Sequence, residues 1–145
     1  MLEQNLGYFF FNKDILRRSL TTKAYALEQQ FQNQYCEDQE AYAVVGERLL
    51  QTVVSERLIR YGYTTAQDIV HWTNQLIAAD SLAQISQSLG VDVFMKLSQE
   101  EKQNGYSNTN LMARTLQAIV GGIYFDGGFR AASEVIHCLF KNSFE

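Results

Sequence analysis

Apolar residues recur along this chain at intervals of three and four, the period of a helix with one buried face. Ile15, Leu16 and Leu20 form the first such stripe, and Asn12 is a good N-cap for a helix over residues 13–20. Residues 21–36 are polar and rich in glutamine, and they read as a loop or irregular link. A long helix is expected over residues 37–61, with Ala43, Val44, Leu49, Leu50, Val53, Val54, Leu58 and Ile59 inward and Gly62 at its end. Thr65 caps a predicted helix over residues 67–79, Asp80 or Ser81 begins another over 82–89, and Gly90 closes it. Ser98 with Glu100 and Glu101 begins a short charged helix ending near Gly105, before a polar loop over 106–110. In residues 111–128, Leu111, Leu116, Ile119, Val120 and Ile123 keep helical spacing, and Gly127-Gly128 is expected to stop the helix. A last amphipathic helix follows over residues 131–140. No strand-like alternation of four or more residues persists and no internal repeat is visible, so the pattern predicts an all-α helical bundle, one domain over residues 1–145.

Composition narrows this picture without changing it. Hydrophobic residues make up 46% of the 145 and charged ones 19%, which is too apolar for disorder. A chain of this length buries roughly two-thirds of its unfolded surface in a single core. Proline is absent and Gln, Leu and Ala are common, which favours helix. Cys36 and Cys138 show no CxxC spacing and read as reduced packing residues, neither a disulfide nor a metal site. The short run 8–11 before Lys13, Arg17 and Arg18 is not a signal peptide, and no segment approaches the ~20 apolar residues of a membrane span. A cytoplasmic protein is the default expectation. The net charge of −4 weighs against a broad basic surface for nucleic acid and leaves room for a local patch.

Two helices carry the candidate chemistry. Glu40 and Glu47 are seven residues apart, two turns on one face of the long helix. Taken alone, acids at that spacing are ordinarily a solvated face. Arg114 and Gln117 are three apart and share one face of the apolar helix over 111–128.

These segments together resemble the ribonuclease III catalytic domain, and the resemblance covers nearly the whole chain. Residues 2–20 look like the family's opening L-G-Y-x-F-x-x-x-x-L-x-x-[AS]-L-T-H, with Thr22 in place of the histidine. Residues 40–47, EAYAVVGE, fall on the signature E-R-L-E-F-L-G-D. Residues 75–89 are similar to A-x-L-V-S-x-x-x-L-A-x-[IL]-A-x-x-L. Residues 111–128, LMARTLQAIVGGIYFDGG, fall on I-L-A-D-x-x-E-A-[IL]-I-G-A-[IL]-Y-L-D-G-G in their apolar frame. Several collinear matches are a far stronger fold signal than any single motif.

The resemblance implies a ribonuclease III-like helical bundle that holds divalent metal, normally Mg²⁺, with carboxylates from these two helices to cleave double-stranded RNA. Carried over residue by residue, that expectation meets substitutions. Glu40 keeps the first signature glutamate, and Ala43 stands where a ligand glutamate belongs. Glu47 replaces the signature aspartate. Arg114 stands at the ligand aspartate position and Gln117 at the last ligand glutamate. Mg²⁺ requires hard oxygen ligands in near-octahedral array. A permanently charged guanidinium repels a cation, and a glutamine amide has neither charge nor basicity. The catalytic remnant is then Glu40 and Glu47, with Glu47 the residual metal ligand, and no cofactor is expected. Arg114 is expected to fill the metal's space and pair with Glu47, and also with Glu40.

The signature helix in the family forms a two-fold interface with an aromatic knob where Val44 stands. The apolar run over 41–45 is awkward on a monomer surface, so a homodimer through Tyr42, Val44 and Val45 is expected. Lys96, Lys102 and Asn108, with the rest of the loop over 104–108, fall where the family has a polar, basic segment near its RNA, although Glu100 and Glu101 offset that charge. His71 and His137 lack a Cys/His set for metal. The pair His71-Trp72 reads as a surface pair before an RNA stack. Arg17, Arg18 and Lys23 read as a solvated face, and Asp126 as a group at a helix C-terminus. Three functions stay open. The first is a catalytically degenerate domain kept for binding structured or double-stranded RNA, or for assembly or regulation in a ribonucleoprotein. The second is an active endoribonuclease resembling the short Mini-III members, using Glu40, Glu47 and Asp68 with Mg²⁺ or Mn²⁺. The third is a helical dimerisation module for protein partners without RNA.

Overall fold

The computed structural model describes residues 1–104 and 108–144, and among them nine α-helices follow one another along the chain. They are α1 (Leu2–Leu6), α2 (Lys13–Ser19), α3 (Lys23–Phe31), α4 (Glu40–Arg60), α5 (Ala66–Leu76), α6 (Ala79–Leu89), α7 (Val91–Phe94), α8 (Gln99–Gln103) and α9 (Thr109–Leu139). A 3₁₀ turn, Lys141–Phe144, follows the last of them. No strand occurs among the described residues; the one extended contact is an isolated bridge between Thr21 and Lys96. No described helix is long and apolar enough to cross a membrane.

The starts of these helices follow from side chains that satisfy free N–H groups of the first turn. Asn12 accepts from Asp14 N–H at 2.9 Å, Thr65 from Asp68 N–H at 3.1 Å and Asn108 from Leu111 N–H at 3.1 Å. Ser98 and Glu101 form a reciprocal capping box at α8. Gly90 closes α6 at φ 73°, a left-handed conformation that favours glycine.

Helix α9 is the axis of the fold. Leu116, Ala118, Ile119, Val120 and Ile123 are all completely buried, so this stretch is largely surrounded by protein. Helices α4, α6 and α2 pack around it. From α4 come Leu50, Val53, Val54 and Leu58, from α6 Leu82 and Leu89, and from the N-terminal segment Leu2, Leu6 and Phe10. A buried hydrogen bond from Ser86 Oγ to the Met112 carbonyl at 2.9 Å ties α6 to α9.

Four expectations are corrected. Residues 21–36 hold helix α3, capped by Thr22, whose hydroxyl accepts from Tyr25 N–H at 3.2 Å. Glutamine is a good helix former, and α3 buries only Ala26, so its apolar stripe is too thin to register as a pattern. On α4, Val44 and Ile59 face outward, 48% and 57% exposed. The boundary between α5 and α6 falls at Ile77 and Ala78, so α6 starts at Ala79. Gly127-Gly128 interrupts the helix where expected: Gly128, at φ 89° and ψ 178°, breaks α9 into two limbs through a conformation open almost only to glycine. Of the polar loop expected over 106–110, Thr109 and Asn110 belong to α9, and residues 105–107 lie outside the described residues.

Candidate functional site

Helices α4 and α9 meet backbone to backbone. A β-carbon on Gly46 would overlap the Gln117 carbonyl, and one on Gly121 would overlap the Tyr42 carbonyl. Glycines at these two positions let the helix axes approach closely enough for short side chains to meet across the seam. The crossing therefore brings Glu40, Ala43 and Glu47 of α4 to the face of α9 that carries Arg114 and Gln117.

A buried polar pair sets the register beside it. Gln39 is 1% exposed and Thr115 fully buried. The Gln39 amide donates to the Ser19 carbonyl at 3.0 Å and to Thr115 Oγ1 at 3.2 Å. Gln39 N–H donates to the Thr21 carbonyl at 3.0 Å, which joins the start of α4 to the Thr21–Lys96 bridge. Sequence reasoning missed both Gln39 and Thr115. The only available signal was a polar residue on a helix face that must be buried.

Next to this pair, Arg114 Nε donates to Glu40 Oε2 at 3.3 Å, the two side chains being 33% and 42% exposed. The expected partner Glu47 is not engaged: it is half-buried and makes no ion pair or hydrogen bond among the described residues. The register accounts for this: Gln39 meets Thr115, and the residues next to them, Glu40 and Arg114, face each other. Ala43 is fully buried and offers no donor atom. Gln117 is half-buried, with its carbonyl against Gly46. No group of three or more His, Cys, Asp or Glu side chains among the described residues is arranged to hold a metal ion.

A family model described as ribonuclease-III-like matches residues 12–143. The chain belongs to the ribonuclease-III-like family. The nuclease domain of ribonuclease III from Campylobacter jejuni superposes with a TM-score of 0.87 at 28% identity, covering 99% of this chain and 96% of that one. A second structure of that domain gives 0.86 at the same identity. Among curated relatives, ribonuclease 3 of Magnetococcus marinus is 29% identical over 97% of this chain, and that of Ehrlichia ruminantium 30% over 95%. The chain spans about 60% of the length of these relatives, 59% and 60% respectively.

On this ribonuclease-III-like chain the remaining sequence candidates separate. Lys96 is half-buried, its backbone in the bridge to Thr21 and its ammonium 6.0 Å from the Tyr25 ring. Lys102 is exposed on α8, and Asn108 is engaged as the cap of α9. Gly105, Tyr106 and Ser107 of the same predicted segment lie outside the described residues. Asp68 is not near the crossing: Ser55 of α4 meets Thr73 of α5 at 2.9 Å, and the chain turns from α4 into α5 at residues 61–65, which puts Asp68 beside the C-terminal end of α4.

Of the three residues expected at a subunit interface, Val44 is 48% exposed, whereas Val45 packs against the core. Tyr42 lies under the Arg18 guanidinium at 4.5 Å and beside Phe125 at 5.3 Å. Phe125 is itself exposed on α9, as are Tyr124 and Phe129. These α9 aromatics went unrecognised because the helix pattern assigned that stretch to the core.

Asp126 stands in the last turn before the break at Gly128, where it holds another segment. It accepts from the Tyr8 hydroxyl at 2.6 Å, from Phe11 N–H at 2.8 Å and from Asn12 N–H at 2.9 Å, clamping the N-terminal segment to α9. Burial pushes its pKa up, but these three donors and Lys13 outweigh it and hold the carboxyl below its ordinary value. The Tyr8 hydroxyl is pushed well up in turn, by burial first and then by its bond to Asp126. Glu3 accepts from Lys13 Nζ and Phe10 N–H, both at 2.7 Å, and these bonds overcome burial to lower its pKa.

Proposed function

We propose that this ribonuclease-III-like domain is catalytically degenerate and serves as a homodimeric RNA-binding or assembly domain, not as a metal-dependent nuclease. One observation carries the reading: Arg114, at the position of a family ligand aspartate, pairs with Glu40 at 3.3 Å. A divalent ion at this crossing would meet a fixed positive charge, one neutral amide at Gln117, no donor at Ala43 and a single unpaired carboxylate at Glu47. That donor set does not fit Mg²⁺, which takes oxygen ligands in octahedral array and needs anionic help from carboxylates. Without an ion, the crossing has no means of activating a water for phosphodiester hydrolysis.

The dimer is supported by the outward-facing Val44 of α4, 48% exposed, at the position of the family's aromatic knob. It is also supported by the Campylobacter jejuni neighbour, described as having a flexible region involved in dimer formation. RNA as partner rests on the family and on Lys102, exposed on α8.

Cleavage of a long RNA duplex in Mg²⁺ and in Mn²⁺ tests the reading, with the restoring variant Ala43→Glu/Glu47→Asp/Arg114→Asp/Gln117→Glu beside the parent. The parent is expected to leave the duplex intact and the restoring variant to gain metal-dependent cutting. Cleavage by the parent that EDTA and Glu47→Ala abolish would establish the alternative, an active endoribonuclease, for which the curated relatives named ribonuclease 3 speak.

A further inference from the structure

A cluster of basic side chains lies near the other end of α4, about 15 Å along the helix from Glu47 at 1.5 Å per residue. Arg57 in the last turn of α4, His137 in the last turn of α9 and Lys141 of the 3₁₀ turn line one cleft of about 360 Å³ with Tyr61, Cys138 and Phe144. No acidic side chain lines that cleft among the described residues. Arg17, Arg18, Arg60, Arg114 and Arg130 each have a carboxylate partner. Arg57, His137 and Lys141 have none among the described residues, and Arg57 Nε is buried without a hydrogen-bond acceptor. In a chain of net charge −4, Arg57 and Lys141 share one cleft with His137 and, among the described residues, with no acid. Two like charges facing one cleft repel each other, so an anionic ligand seated between Arg57 and Lys141 would relieve that repulsion.

The aromatic neighbours narrow the anion. Tyr61 and Phe144 stack at 5.4 Å and 14°, with the Arg57 guanidinium 5.7 Å from the Tyr61 ring. The same two rings also line an adjoining cavity of about 140 Å³ with Tyr63, Trp72 and Leu76. A guanidinium fork matches phosphate oxygens, an ammonium adds a point charge, and His137 donates an N–H in either protonation state. A flat ring presented next to that phosphate finds aromatic faces to stack on. We propose that this end of the molecule binds a single unstacked nucleotide, its phosphate on Arg57, His137 and Lys141 and its base against the Tyr61, Trp72 and Phe144 side. The same chemistry comes from a free 5′-mononucleotide or from an unpaired nucleotide of an RNA strand.

Trp72 is the chain's only tryptophan, so its emission reports on the aromatic cavity. The full chain is titrated with adenosine 5′-monophosphate, with adenosine, and with a 5′-phosphorylated hexa-adenylate, at about 0.15 M salt to suppress long-range attraction. Saturable change is expected with a phosphorylated probe, and adenosine should require at least about tenfold more. Lys141→Gln, at an exposed position expected to fold as the parent does, should weaken the phosphorylated probe about threefold or more, and Arg57→Gln more strongly. Response to the mononucleotide identifies a free nucleotide as sufficient; response to the oligonucleotide alone identifies a strand. The proposal is overturned if no probe saturates below about 10 mM, or if adenosine matches its phosphate and Lys141→Gln changes nothing.

Discussion

Arg114 and Glu40 are 33% and 42% exposed, so solvent screens much of their attraction. A pair of this kind contributes about 0.2–1 kcal/mol, and the aliphatic stem of Arg114 adds packing against α4. Arg114→Ala is therefore expected to lower stability by about 1 kcal/mol, and Arg114→Lys by less, in urea unfolding. A double-mutant cycle with Glu40→Gln should return a coupling of a few tenths of a kcal/mol. If both Arg114 variants unfold like the parent, the pair has no energetic content. The clamp at Asp126 makes a pH prediction. Its folded-state pKa lies below the unfolded value of about 3.9, so its stabilisation is complete above that value and is lost as pH falls through the folded one. Glu3 acts in the same sense below its own unfolded value of about 4.3. Tyr8→Phe removes one donor to Asp126, and its melting temperature should fall less steeply than the parent's between about pH 4 and pH 2. Identical acid limbs would contradict the clamp. At this scale the identities of Glu40, Glu47, Arg114 and Gln117 were legible from spacing and resemblance. The choice of Glu40 over Glu47 was not, because it depends on the register of α4 against α9.

Among elements, the crossing of α4 and α9 is the most demanding contact. Gly46 and Gly121 each face a carbonyl of the opposite helix, a partner that cannot rotate away. Gly46→Ala and Gly121→Ala must separate the helices and are each expected to cost more than about 3 kcal/mol, as overpacking against backbone does. Gly122→Ala provides the contrast: its β-carbon would meet Ile15 Cγ2 at 3.3 Å and Ser19 Cβ at 3.5 Å, side-chain atoms that can yield. It is expected to change stability by about 1 kcal/mol or less, read from denaturant midpoints at constant slope. Equal losses at Gly46 and Gly122 would sink the close-approach account. Element starts were largely readable because caps are local chemistry: Asn12, Thr65 and Ser98 cap where their side chains dictate. Helix α3 escaped notice because Thr22 and Glu28 tie it to α8 through Glu101 and Gln99 N–H, long-range contacts that leave no periodic trace.

For the whole molecule, the outward-facing Val44 and the aromatics Phe125 and Phe129 predict self-association. Light scattering after size exclusion at low micromolar concentration should give twice the 16.6 kDa chain mass, and Val44→Asp should shift it toward monomer with helicity unchanged. A parent that elutes as a monomer would remove the dimer from the account. The fold itself was legible because four separate segments agreed in order and spacing with one family. The cleft of Arg57, His137 and Lys141 was invisible to such reading, since its cations come from elements far apart in sequence and match no motif. The central claim is that Arg114 has taken the place of a metal ion at the crossing. Diffraction at the manganese edge from crystals soaked in Mn²⁺ tests this most directly: the account predicts no anomalous peak between α4 and α9 and an intact Arg114–Glu40 pair. A peak there, held by two or more protein oxygens with Arg114 swung aside, would contradict it.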